Sequence, residues 1–262
     1  MRKTIYLLLI FIFIGCSTIS VHNSFVESIS NQDQITILSL NMMGYDPNNS
    51  RIDRMQPVID LCKQDNVDIL LLQEGYSGLF QRDSINYLRD ELGFPASFEA
   101  PVFGVYPFSL QNIGIISRYP WLETDSSPCE IQMIETIDNL PVPNKRRVVM
   151  GQIDVPGMGK INTYSVHMAS SPTTEEERTK QISCIINFID SKTNDSAEIL
   201  GGDFNMSPDS PAYKVIIDAG FRGYGQTPDF IFVRGPIEIV DWKLVFADHF
   251  VSDHCGILVK IQ

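Results

Sequence analysis

The stretch "AEILGGDFNMSP", Ala197–Pro208, carries the apolar pair Ile199 and Leu200 through two glycines and then presents Asp203 and Asn205 two positions apart. A short apolar run bounded by glycine has the pattern of a buried β-strand. A carboxylate and a carboxamide at the rim of a hydrophobic core cost stability unless they find partners. The arrangement recurs: "ITILSL" ends in Asn41, "DILLLQ" in Glu74 and "INTYSV" in His167, while Asp229 heads "FIFV" and Asp253 with His254 heads "CGILV". Polar groups repeated at so many strand ends are expected to be partners of one another, gathered at one edge of one core.

Between "QITILSLN" and "VDILLLQE" lies "RIDRMQPVIDLCKQDN", whose apolar residues fall at helical spacing with Asp53 and Arg54 outward and Pro57 interrupting a straight helix. Further strands are expected in "NIGIIS", "RVVMGQIDV", "KINTYSVH", "AEILGG", "DFIFV" and "CGILVKI". Further helices are expected in "RDSINYLRDEL", "TTEEERTKQISCIINFIDSK" and "SPAYKVIIDAG", the second opened by Thr174 as N-cap with acids in its first turn. Strands outnumber helices enough to predict an α+β chain in which two packed sheets are covered by helices. The chain has 262 residues, 44% of them hydrophobic, and shows no linker or repeat after Ile35, so residues 35–262 read as one domain.

The opening "MRKTIYLLLIFIFIGCS" has a basic start, an apolar run from Ile5 to Ile14, then Gly15 and Cys16. Such a run is short for a membrane span and has the layout of a secretory signal, residues 1–15, with an uncleaved anchor as the alternative. Residues 16–34 are polar and small and read as a tether. Loss of Arg2 and Lys3 with the signal takes the net charge from −12 to −14. So acidic a chain is poorly suited to clustered phosphate contacts, and nucleic acid is not the favoured partner. The basic cluster "NKRR", Asn144–Arg147, reads as a solvated loop leading into a strand. Cys62, Cys129, Cys184 and Cys255 lack metal-knuckle spacing; pairing in an exported chain and buried free thiols on apolar helix faces both remain open. Cys255 opens what looks like a core strand, so a nucleophilic role is not favoured.

The strand-end residues form a chemical set. Glu74, Asp253 and Asn41 offer oxygen ligands suited to magnesium or manganese rather than zinc. His254 is placed to act as a general base with Asp229 orienting its ring, while His167 and Asn205 are donors for a non-bridging oxygen. This is equipment for attack by water at phosphorus.

"SLNMMG", "LLLQE", "NIGIISRYP", "SVHMAS", "GGDFNMSP", "PDFIFV" and "SDHCGI", in that order, resemble the successive motifs of the endonuclease/exonuclease/phosphatase superfamily. The resemblance covers residues 35–262 and implies a four-layer α/β/β/α sandwich of two mixed β-sheets flanked by helices. It implies metal binding by Asn41 and Glu74, phosphate contact by His167, and a "GDxN" pair in which Asp203 and Asn205 divide the positioning of water and the binding of a phosphate oxygen. It pairs Asp229 with the catalytic histidine, in a closing "SDH" formed by Asp253 and His254. "IGCS" resembles a bacterial lipobox in which Cys16 becomes the lipidated first residue. Two features depart from the best-known nuclease branches: Met43 stands where abasic-site endonucleases carry an acid. Gln111 and Asn112 stand where the pancreatic-type enzyme carries a glutamate that orients the "SVH" histidine.

Gly201 and Gly202 are expected to let the chain turn closely at the sheet edge. "FEAPVFGVYPF", with Phe98, Phe103, Tyr106 and Phe108, reads either as an apolar rim or as ordinary aromatic packing. "RYPW", Arg118–Trp121, reads as a turn without chemistry, and His22 and His249 as tether and surface. The expected protein is a monomeric, magnesium- or manganese-dependent phosphodiesterase of small or lipid phosphoesters, held by a lipid on Cys16 in the periplasm or at the cell surface. A surface nuclease and a non-catalytic binding lipoprotein are the alternatives.

Overall fold

The computed structural model describes residues 33–44, 51–79, 82–105, 109–129, 133–137, 140–144, 146–170, 173–192 and 196–262. The expected signal, Cys16, His22, Tyr106 and Phe108 lie outside the described residues. The elements run β1 (Ile35–Asn41), α1 (Arg51–Gln64), β2 (Ile69–Ser77), α2 (Ser84–Leu92), β3 (Ala96–Val105), β4 (Ser109–Ser117) and β5 (Glu123–Pro128). They continue through β6 (Met133–Ile137), β7 (Leu140–Asn144), β8 (Arg147–Val155), β9 (Gly159–His167), α3 (Glu175–Lys192) and β10 (Ala197–Asp203). The chain closes with α4 (Pro211–Asp218), β11 (Arg222–Gln226), β12 (Asp229–Arg234), β13 (Ile239–Val245) and β14 (Gly256–Ile261).

Two six-stranded sheets form, in the orders β13-β14-β1-β2-β4-β3 and β11-β12-β10-β9-β8-β5, and β6 and β7 make a separate hairpin. Both large sheets are mixed, because β1 runs parallel to β2 and β9 parallel to β10 while their other neighbours are antiparallel. The alternation of side chains along each strand builds the layers. In β1, Ile35 and Ile37 face the core between the sheets, and Leu38 and Leu40 face α1 and α2. In β10, Ile199 faces the same central core, and Leu200 joins Ile182, Ile185 and Ile216 beneath α3 and α4. Strands buried on both faces read as continuous apolar runs. The result is the four-layer sandwich that the motifs implied.

Local rules fix the helix ends. Thr174 Oγ1 accepts from the Glu177 N–H, and Glu177 Oε2 accepts from the Thr174 N–H and hydroxyl, a reciprocal capping box. Asp83 caps α2 by accepting from the Asn86 N–H, and Ser210 caps α4 ahead of Pro211. Among the described residues no helix is long and apolar enough to cross a membrane.

Two expectations change and one left open is resolved. Asp53 is exposed, but Arg54, expected outward, is 1% exposed. Its guanidinium donates to the carbonyls of Met42, Met43 and Val251. The glycines expected at a sheet edge lie in β10, an interior strand. A Cβ on Gly201 would meet Leu71 of the facing sheet at 2.6 Å, and one on Gly202, at φ 152°, would collide with the Val166 carbonyl. Both are therefore clearance for close neighbours in the core. Cys129 and Cys184 are joined in a disulfide that ties the end of β5 to α3, while Cys62 is free and buried. A bridge closing 55 residues is worth about 4 kcal/mol in the chain-entropy account.

Candidate active site

The topology brings the polar strand ends together. The parallel pairs β1–β2 and β9–β10 end where antiparallel β12 and β14 begin. Asp203 lies in register between His167 of β9 and Asp229 of β12, so three functional side chains stand on adjacent strands. Beneath them, buried Gln73 donates from Nε2 to Ser165 Oγ at 3.0 Å, a polar tie between the two sheets.

Glu74 is aimed by a break in the ladder. The β2–β4 register shifts between Leu72 and Gly75, and Glu74 has φ 54°. A bulge with an extra residue turns a side chain out of the normal alternation. Met43 at φ 47° and Asn205 at φ 47° adopt the same left-handed backbone at the rim. Asn41 Nδ2 donates to Asp203 Oδ2 at 3.1 Å and to Glu74 Oε1 at 3.3 Å, and its Oδ1 accepts from the Met43 N–H. One carboxamide thus holds two carboxylates from different sheets. Asn205 donates one amide hydrogen to the Met168 carbonyl, and its own N–H is accepted by Asp203 Oδ1 at 3.0 Å.

His254 Nδ1 is 2.7 Å from Asp229 Oδ2, and its Nε2 is 3.8 Å from Asp203 Oδ2. His167 Nε2 lies 3.4 Å from Asp203 Oδ2 and 3.9 Å from Glu74 Oε1. Glu74, His167, Asp203, Asn205 and His254 line one pocket together with Gln111 and Arg146. Asp253 is exposed and lines an adjoining cleft with Asp229 and His254. Exposed His249 borders that same cleft, as does half-buried Cys255, which precedes β14 rather than lying within it. Phe103 borders the catalytic pocket, whereas Phe98 packs against the central core. Asn112 turns to the opposite face of β4, donating to Ser77 and Glu99.

Arg146 was missed by sequence reasoning, which took "NKRR" as a solvated loop. It is 4% exposed, and its charge acts on both Glu74 and His167. The available signal was its place immediately before an apolar strand, obscured by the basic residues around it. We expect Arg146→Met to lower kcat/KM for a phosphoester about tenfold to hundredfold, the worth of one charge-assisted hydrogen bond to phosphate. Steady-state kinetics on a chromogenic ester check this.

Burial pushes the Glu74 carboxyl up, opposed by the Asn41 hydrogen bond and Arg146. Burial and then the Asp229 charge push Asp203 up to about 7. Burial and then Arg146 hold the His167 imidazole well below its ordinary range, hence neutral. Burial alone would lower His254, but the Asp229 hydrogen bond with the Asp229, Asp203 and Asp253 charges outweighs it, and the imidazole rises to about 9. The site therefore holds more carboxylate than its cationic side chains comfortably balance. Ligand atoms of Asp203, Asp229 and His254 lie within 4.8 Å of one another, and Glu74 meets Asp203 through the Asn41 amide. Hard oxygens in excess over positive charge fit a divalent cation.

The sequence pattern described as Endonuclease/Exonuclease/phosphatase family matches residues 38–254. No curated protein is similar enough in sequence to match. Among solved structures, a family protein from Leptotrichia buccalis C-1013-b aligns at TM-score 0.70 and 21% identity over 87% of this chain and 99% of that one. A humanized D. rerio TDP2 aligns at TM-score 0.69 and 21% identity, covering 88% of this chain and 100% of that one. A mannosyl-6-phosphatase of Bacteroides thetaiotaomicron VPI-5482 aligns at TM-score 0.64 and 15% identity, over 87% and 99%. At these identities the likeness is one of fold.

Proposed function

This chain belongs to the endonuclease/exonuclease/phosphatase family, and from that premise we propose that it is a divalent-cation-dependent phosphodiesterase of small or lipid phosphoesters, acting outside the cytoplasmic membrane. One observation carries the reading: residues from both sheets converge on a pocket lined by buried carboxylate, Arg146 and His254, whose Nδ1 lies 2.7 Å from Asp229 behind it. Asp229 holds the His254 ring; once the carboxylate charges that raise this imidazole are offset by a cation, it returns to the neutral form in which Nε2 takes the proton of the attacking water, and Asp203 helps orient that water. Arg146, neutral His167 and Asn205 donate to the non-bridging oxygens as negative charge builds on them. Glu74 and Asp203, organised by Asn41, would hold the cation, with Asp253 adding its charge from the adjoining cleft. The chemistry a magnesium or manganese ion would supply there is the offsetting of charge on the phosphate and the leaving oxygen.

Export and anchoring are part of the proposal. The apolar run ending at Gly15–Cys16 supports it, as does the Cys129–Cys184 bridge, a bond suited to an oxidising compartment. A net charge of −12 supports a small substrate over a polynucleotide.

The test is turnover of bis-p-nitrophenyl phosphate, sphingomyelin, inositol phosphates and plasmid DNA, with magnesium and with EDTA. The expected result is magnesium-dependent hydrolysis of a small or lipid diester that EDTA abolishes, with the plasmid left intact. Plasmid cleavage that fades steeply with salt replaces this reading by a nuclease, and no turnover on any ester replaces it by a binding protein.

A further inference from the structure

We propose that the cleft adjoining the catalytic pocket binds the ester arm that stays on phosphorus, and that this arm is a neutral group bearing hydroxyls. The inference rests on the phosphodiesterase reading above. The two cavities, of about 230 and 280 Å³, share Asn205 and His254 in their walls. A phosphoryl group in the first is therefore at the mouth of the second. Their chemistry differs. Arg146 lines the first. Among the described residues the second is lined by Gln226, Thr227, His249 and Asp253 as well as Asp229, and by no lysine or arginine. With Asp229 already paired to His254, the remaining Asp253 carboxylate, without a lysine or arginine beside it among the described residues, disfavours a second phosphate and the continuing backbone of a nucleic acid. Among the described residues no Phe, Tyr or Trp lines this cleft, so they offer a base or a quaternary ammonium group no ring to stack on. A carboxamide, a hydroxyl, an imidazole and a carboxylate are matched partners for hydroxyl groups, which both donate and accept.

The position of His249 supports a built site. It has φ 58°, and its N–H donates to the Phe246 carbonyl at 3.1 Å, which closes a turn beside the cleft. Attack at phosphorus requires the entering and leaving oxygens to be roughly in line. The water is activated at His254, the wall common to both cavities, so the leaving oxygen points away from the second cleft. The bond from water oxygen to phosphorus forms, the water proton passes to His254, and the bond to the departing arm breaks. The departing alkoxide takes up a proton as an alcohol, and the arm in the second cleft remains on the product as its phosphomonoester.

Two synthetic diesters with one leaving group isolate the retained arm: glyceryl p-nitrophenyl phosphate and methyl p-nitrophenyl phosphate. The wild-type protein is expected to favour the glyceryl ester in kcat/KM by about tenfold, the worth of one or two hydrogen bonds. Gln226→Ala and His249→Ala, both at exposed positions, should each lower kcat/KM for the glyceryl ester about fivefold and leave the methyl ester within about twofold. Equal losses on both esters, or no loss on either, overturn the assignment of the cleft. No turnover of either diester by the wild type overturns the phosphodiesterase reading, and this cleft's role with it.

Discussion

His254→Ala is expected to lower kcat by about three orders of magnitude, within the range supplied by a positioned general base. KM should change far less, because Arg146, His167 and Asn205 remain to hold the phosphate. The substitution leaves the fold standing: the ring is half-buried at the pocket wall, and the main loss is the charge-assisted Asp229 hydrogen bond, worth about 1.5–3 kcal/mol. Asp229→Asn is the informative companion. It leaves the imidazole in place but replaces the partner that fixes its Nδ1 proton, so kcat should fall with the thermal midpoint nearly unchanged. Stopped or steady-state kinetics on bis-p-nitrophenyl phosphate decide the matter, and a His254→Ala variant that keeps kcat within tenfold of wild type would falsify the role given to this residue.

The second large effect falls on stability. Arg54→Met should destabilise the fold by about 3 kcal/mol, because the buried carbonyls of Met42 and Val251 and the partly buried one of Met43 each lose a donor worth about 1 kcal/mol. For a domain of this size that corresponds to a fall of roughly 6–12 °C in the thermal midpoint. The three carbonyls belong to two segments that carry function: Met42 and Met43 follow Asn41, and Val251 precedes Asp253 and His254. Arg54 therefore stitches the end of β1 to the loop before β14. Activity measured well below the midpoint should fall as well, and Arg54→Lys, which keeps a cation with several donors, should recover part of both losses. A midpoint within about 2 °C of wild type for Arg54→Met contradicts the stitch.

The architecture was legible because each central strand announces itself. Ile35, Ile37, Leu38 and Leu40, or Ile199 and Leu200, are buried on both faces, and such runs leave little ambiguity. The strands that escaped notice lack that pattern. β13 reads "IVDWKLV" with most of its residues exposed or partly so, and β11 reads "RGYGQ", with glycines that pack against Phe232 and the Asp229–Phe230 backbone. Site residues at strand ends were legible for a related reason: a polar group terminating an apolar run stands out. Arg146 and Arg54 did not stand out. Helical periodicity assigns a buried face from apolar residues alone, and an arginine whose partners are backbone carbonyls carries no complementary acid in the sequence to reveal it. The choice between free and bridged cysteines likewise depended on Cys129 meeting Cys184 across 55 residues, a distance over which local pattern says nothing.

Glu74, Met43 and Asn205 hold side chains on a backbone twist that L-amino acids resist, at a cost of roughly 1–2 kcal/mol apiece. Glu74 stands within β2, and Met43 and Asn205 follow the ends of β1 and β10, so the candidate site carries a loaded spring braced by the frame of those strands. Warming loosens such a spring before it melts the frame. Heat should accordingly dull this protein while its strands are still intact, and recovery on cooling should be quick because only three residues have to be rewound.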